Sequence, residues 1–164
     1  MTHARSTSRW LTSLFAALLA WPPVMADVLA QATDPSPDPR AAAQAGLRFV
    51  VGERLRLITD VDAAPAVDEL PAVFAAAIEP WGQFFGVPPQ RTAGWRVDAY
   101  LIRQRDVFAA QRLLPSDRPA FTNGFAYPRV LWVEEQASDY FRRHLMLHEG
   151  THAFMLAHLG SCGP

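Results

Sequence analysis

The chain is expected to fold as an α+β domain, a small mixed sheet packed with helices and closed by one long helix. Three observations predict this. Segments with the two-residue apolar period of a strand alternate with segments at the helical period, and the last periodic segment, 138–159, is the longest. The chain has 164 residues, half of them hydrophobic and 19% charged, which is enough apolar surface for one real core and argues against disorder. No internal repeat interrupts this order, so one domain is expected.

The first 32 residues differ in kind. Arg5 and Arg9 precede WLTSLFAALLAW, a run of the length of the apolar centre of an export signal, and PPVMADVLAQA offers small residues at cleavage spacing. Residues 1–32 are therefore expected to be a signal peptide cleaved after Ala26 or Ala32, and the mature protein to be secreted or periplasmic. Pro22 and Pro23 break the run after about 12 residues where a span needs about 20, so no stable membrane span is expected once the signal is removed. Residues 33–46, opening on TDPSPDPR, mix Pro, Asp and Ser without apolar periodicity and are expected to be a flexible lead-in to a domain at 47–164.

Within that domain, ERLRLITDVD alternates charged residues with Leu55, Leu57 and Val61, the pattern of a half-buried strand. Next, VDELPAVFAAAIEPWGQFFG sets Leu70, Val73, Phe74, Ala77, Ile78 and Trp81 at helical spacing. Asp68 and Glu69 suit its first turn, Gly86 its stop, and Pro80 is expected to kink it or end it early. A second strand follows around Val97, Ala99 and Leu101, then a short helix over RDVFAAQRLLP closed by Pro115. TNGFAYPRVLWVEE reads as two short strands about a turn at Pro128 and Arg129, with Phe125, Tyr127, Leu131 and Val133 as bulky positions. The last element is a helix from Ser138, a suitable N-cap, with Asp139 in its first turn and Gly160 beyond its end.

Charge and cysteine content narrow the partners. The net charge of -1, with no block of Lys or Arg, supplies no field for phosphates, and nucleic acid is not an expected partner. An exported protein is allowed disulfides, but Cys162 is the single cysteine and has no partner within the chain.

The last helix carries MLHEGTHAFMLAH. On a helix, His148 and His152 lie about 40° apart around the axis and roughly 6 Å along it, so both imidazoles can reach one metal ion at about 2.0–2.1 Å. Glu149 projects on an adjacent direction, where a carboxylate can stand beside a metal-bound water without being a ligand. This is the H-E-x-x-H arrangement of two ligands and a general base for hydrolysis. The uncharged flanks LML and AFML are expected to bury this turn, and buried histidines beside a glutamate are costly unless something satisfies them. The bland alternative is a pair of core histidines bonded to backbone, with Glu149 at a rim. His144 lies about 12 Å along the axis from His152 and cannot share its ion. His158 lies about 9 Å beyond His152 and about 120° round the axis, so it becomes a ligand only if the helix breaks near Met155.

At these residues the chain resembles the gluzincin type of zinc metallopeptidase, above all the bacterial peptidase-MA-like domains of exported proteins. The likeness runs over RLRLITDVD, FFGVPP, VDAYLIRQRDVF, TNGFAY and LMLHEGTHAF, of which the last is the specific one. The resemblance implies a zincin-like, thermolysin-like catalytic half. His148 and His152 would bind Zn2+, and Glu149 would take a proton from the water that attacks a peptide carbonyl of a peptide or protein substrate. It also implies that an edge strand, by position Gly124 to Tyr127, holds extended substrate by main-chain hydrogen bonds.

A gluzincin takes its third ligand from a glutamate on a later helix. Here HLGSCGP follows the active helix and no Asp or Glu follows Glu149, while catalytic zinc needs three protein ligands and an open position. Three accounts follow. The chain is a fragment of a longer peptidase, incomplete at its C-terminus and with little activity alone; or His158 closes the site of a short metzincin-like enzyme; or the domain is a non-catalytic binding or structural module with a degenerate zinc site. Glu134, Glu135 and Asp139 precede the helix and are not expected to substitute.

Overall fold

The computed structural model describes residues 37–115 and 121–162. The signal peptide expected at 1–32 lies outside the described residues. The domain is α+β: a five-stranded mixed sheet in the order β1-β2-β3-β5-β4, with helices on both faces and a long helix last.

Two elements occupy the stretch around the expected lead-in. Helix α1 (Pro39–Gln44) is capped by the Asp38 side chain, which accepts from the Arg40 amide at 3.0 Å, and it buries Ala42 completely. The expectation of a flexible segment to residue 46 is corrected here: one buried alanine anchors a short helix that has no apolar period to announce it. Strand β1 (Arg48–Val51), also unexpected, is four residues of half-buried edge, with Val51 74% exposed, and it pairs antiparallel with β2 (Leu55–Thr59).

The expected helix over 67–86 is two. Helix α2 (Pro65–Asp68) ends where Asp68 receives the Arg48 guanidinium at 2.6 Å, and α3 (Leu70–Phe85) begins after Glu69. Pro80 neither ends nor interrupts α3. It is exposed, so the carbonyl that its missing amide frees faces water rather than core. Gly86 closes α3 at a φ of 68°, a left-handed position that suits glycine. The single turn α4 (Pro89–Thr92) then leads to β3 (Val97–Ile102), parallel to β2.

Helix α5 (Arg105–Ala110) is shorter than the expected 105–115, because Arg112 leaves the helical region at a φ of 57°. The hairpin forms as expected: β4 (Gly124–Tyr127) and β5 (Val130–Glu134) are antiparallel, with Tyr127 opposite Val130 and Pro128 and Arg129 in the turn. Strand β5 runs parallel to β3, which leaves β4 at the sheet's edge.

The inner strands are buried on both faces, not on one. Leu55, Leu57, Val97, Ala99, Leu101, Leu131 and Val133 pack with α3 and the last helix. Ile58, Tyr100, Ile102, Val130 and Trp132 pack with Ala42 and Phe108 on the other side. Charge on these strands is paired: Arg56 Nε donates to Asp98 Oδ1 at 2.9 Å, where the two residues stand opposite in register. Phe125 and Tyr127 belong to this second face, while Ala126 joins the first.

Candidate metal centre

The last helix, α6 (Asp139–His158), is 20 residues long, roughly 30 Å. Its start is held by polar contacts. Ser138 is extended and its hydroxyl accepts from the Phe141 amide at 3.3 Å; Arg142, almost fully buried, donates from Nε to Glu135 at 2.9 Å and from Nη1 to Asp139 at 2.5 Å. Arg143 pairs with Glu69 at the start of α3. At the far end, Arg91 of α4 donates to the His158 carbonyl at 2.9 Å, placing a cation at the negative end of the helix.

Between these ends the helix is seated by aromatic packing. Phe154 is fully buried, with ring centroids 5.8 Å from Trp81, 6.0 Å from Phe85 and 5.4 Å from Trp95. Gly150 faces Phe74 and Trp81 so closely that a Cβ built on it would meet their ring atoms at 2.7 and 2.8 Å. The residue inside H-E-x-x-H that carries no side chain is thus the one on which α3 rests.

This seat leaves His148 exposed and His152 half-buried, so the expected burial of the whole turn holds only for Glu149 and Gly150. The two Nε2 atoms stand 3.2 Å apart, with the rings nearly perpendicular at 86°. Two nitrogens that bind one zinc at 2.0–2.1 Å with tetrahedral angles are separated by about 3.3 Å. The pair therefore fits two positions of a zinc coordination sphere without rearrangement. Burial, with the neighbouring His148 adding to it, holds the His152 imidazole below the usual histidine range and favours the neutral form a ligand needs. Its Nδ1 is buried without a hydrogen-bond partner among the described residues, at the position where a ligating imidazole donates its second proton.

Glu149 is 7% exposed and lies between α6 and the edge strand, where the absence of a side chain at Gly124 makes room for it. Desolvation pushes its carboxyl up to about 7. A group in that range can take and return a proton near neutrality, which suits a general base.

The remaining candidates do not join the pair. His144 is exposed and stacks on Tyr140 at 6.1 Å. Helix α6 continues unbroken through Met155, and His158 packs its ring on Phe154 at 4.6 Å and on Trp95 at 5.3 Å, with Nε2 buried and without a hydrogen-bond partner among the described residues. Glu134 is bonded to Arg105 at 2.5 Å, and Glu135 and Asp139 are both engaged by Arg142. Cys162 is exposed and its thiol reaches the His152 carbonyl at 3.5 Å; burial, then the charge of Glu149, raises it above the ordinary thiol range. Among the described residues no group of three or more His, Cys, Asp or Glu is arranged to hold a metal ion, and no helix is long and apolar enough to cross a membrane.

The spacing of His148, Glu149 and His152 is legible in the sequence, but what seats them is not. Gly150, Gly124 and the ring of Trp81 were the missing parts, and a glycine inside a strand is the signal for a close approach. No family model, no curated protein and no solved structure matches this chain.

Proposed function

We propose that this chain is the catalytic half of an exported zinc-dependent metallopeptidase of the gluzincin, peptidase-MA-like type, with a zincin-like fold and a peptide or protein substrate. The observation that carries the reading is the 3.2 Å separation of the His148 and His152 Nε2 atoms on the helix turn that also carries the buried Glu149. His148 and His152 hold the metal, and a third protein ligand comes from outside the described residues. When bound, zinc polarises a carbonyl oxygen and brings the pKa of water to about 7.

The chain's own groups divide the remaining work. Glu149 takes the proton of the attacking water and delivers it to the departing amine, a role that its burial suits. Strand β4, at the sheet's edge and in contact with Glu149 through Gly124, offers main-chain groups to an extended peptide, which passes the base as it pairs. A non-catalytic zinc-binding module is the second reading, favoured by the lack of a third ligand among the described residues.

Zinc content and hydrolysis of a casein and peptide panel separate the two. His148→Ala and His152→Ala are expected to lose zinc, and Glu149→Gln to keep zinc while losing hydrolysis. Equal hydrolysis by wild type and Glu149→Gln would sink the catalytic reading.

A further inference from the structure

We infer that Gly124 is a positioning residue for Glu149: the missing side chain in the edge strand is the notch that seats the carboxylate on the turn carrying the histidine pair. The inference rests on the metallopeptidase reading for its consequence, though not for its geometry.

A glycine is required at a position for its backbone or for its space. The left-handed glycines here are Gly46, Gly86 and Gly160; Gly124 is not among them, and it pairs opposite Val133 in an ordinary antiparallel ladder. Its backbone suits any residue, so the reason is space. A Cβ on Gly124 would meet Cγ and Oε1 of Glu149 at 2.6 Å and Cδ at 2.7 Å, and these are its three nearest atoms. The contact differs in kind from those of the other crowded glycines. Gly52 faces the ring carbon of Pro71 and the Leu55 carbonyl, and Gly150 faces the Phe74 and Trp81 rings, none of which can swing aside. At Gly124 the obstacle is the far end of a flexible side chain.

Two consequences follow. A methyl group at 124 displaces the carboxylate and leaves the strand in place, because rotating Glu149 about its own bonds costs less than breaking the β4 to β5 ladder. Ala126, buried two residues along on the same face, keeps β4 close to α6, so the displaced carboxylate has no second notch and must leave its place on the turn carrying His148 and His152. The main chain of Gly124 belongs to the edge that pairs with substrate in this scheme, whereas its missing side chain bears on the reaction only through Glu149.

The test is Gly124→Ala, read in structure and stability on the chain as it stands and in hydrolysis on the zinc-loaded enzyme that includes the third ligand. In crystal structures, the Glu149 carboxylate should shift by about 1 Å or more with the β4 and α6 backbones superimposed; an unmoved carboxylate or a displaced strand overturns the inference. In thermal unfolding, G124A should lower Tm by about 3–8 °C, and the double variant G124A/E149A should lose no more than E149A alone. Equal losses in both backgrounds, or a double variant that fails to fold, overturn it, while a G124A that unfolds and is rescued by E149A supports it. In hydrolysis, a displacement of about 1 Å should lower kcat about 100-fold with KM and zinc content unchanged. Unchanged kcat in G124A beside an inactive E149Q overturns the inference and leaves the metallopeptidase reading standing, whereas full activity in E149Q overturns that reading and the catalytic consequence with it.

Discussion

The Nε2 atoms of His148 and His152 stand 3.2 Å apart on one face of an unbroken helix, a separation that a zinc ion spans at ordinary bond lengths. The helix is held by Phe154, Gly150 and Arg142 rather than by these rings, so its folding does not depend on a metal at the histidine pair. Chelator-treated protein should keep its helical far-UV circular dichroism and lower its Tm by only a few degrees. Collapse of the helical signal on chelation would show that the aromatic seat is not what holds α6.

Protonation of Glu149 should be visible in the stability of the metal-free protein. The folded carboxyl titrates at about 7 against 4.5 for the ordinary group, so between those values the folded state holds a proton that the unfolded state releases. Stability therefore falls as pH rises through that window. Glu149→Gln cannot ionise and should lack this slope. In urea unfolding it should exceed wild type by roughly 1–3 kcal/mol above pH 7 and match it below pH 4.5, the size following from about 1.4 kcal/mol per pKa unit, discounted for solvent near the site. Parallel pH profiles for the two proteins would contradict the buried placement of this carboxyl.

Gly150→Ala sets two effects against each other. Alanine is the better helix former by about 1 kcal/mol. Its methyl group would, however, lie 2.7 Å from the Phe74 ring and 2.8 Å from the Trp81 ring, and overpacking of this sort costs about 1–3 kcal/mol. The rings win because they are wedged between α3 and α6, so a net loss of about 1–2 kcal/mol is expected in denaturant unfolding. A gain in stability would mean that α6 stands further from α3.

His158 provides a test of the metzincin-like alternative. Its ring packs on Phe154 and Trp95, with Nε2 buried and without a hydrogen-bond partner among the described residues, so His158→Phe removes an unsatisfied polar group and keeps an aromatic ring. Stability should rise by about 1 kcal/mol, and zinc binding measured by calorimetry should be unchanged. Loss of zinc in this variant would assign His158 to the metal after all.

The legibility of the fold follows the range of the forces involved. Helix α6 and its histidine pair were readable because an i, i+4 spacing fixes two side chains on one face whatever the helix packs against. Strands β2 and β3 and the hairpin were readable from two-residue periods and from Pro128 and Arg129 between apolar runs. Helix α1 was not, because a single alanine, Ala42, holds it and one buried residue has no period. The division of 67–86 into α2 and α3, and the passage of α3 through Pro80, depend on Arg48 reaching Asp68 and on which side of α3 meets water.

By itself, then, the sequence determined that His148 and His152 share one helix face with Glu149 next to the first, and it placed β2, β3, the hairpin and α6, since each rests on spacing within one element. The tertiary structure alone decided that Glu149 is buried, that His158 turns into an aromatic cluster and that Gly124 is the residue against which the carboxylate rests. Gly124 and Glu149 lie 25 residues apart on different elements. Their contact exists only because parallel pairing of β5 with β3 carries the hairpin to the sheet's edge and the Phe154 seat lays α6 across it.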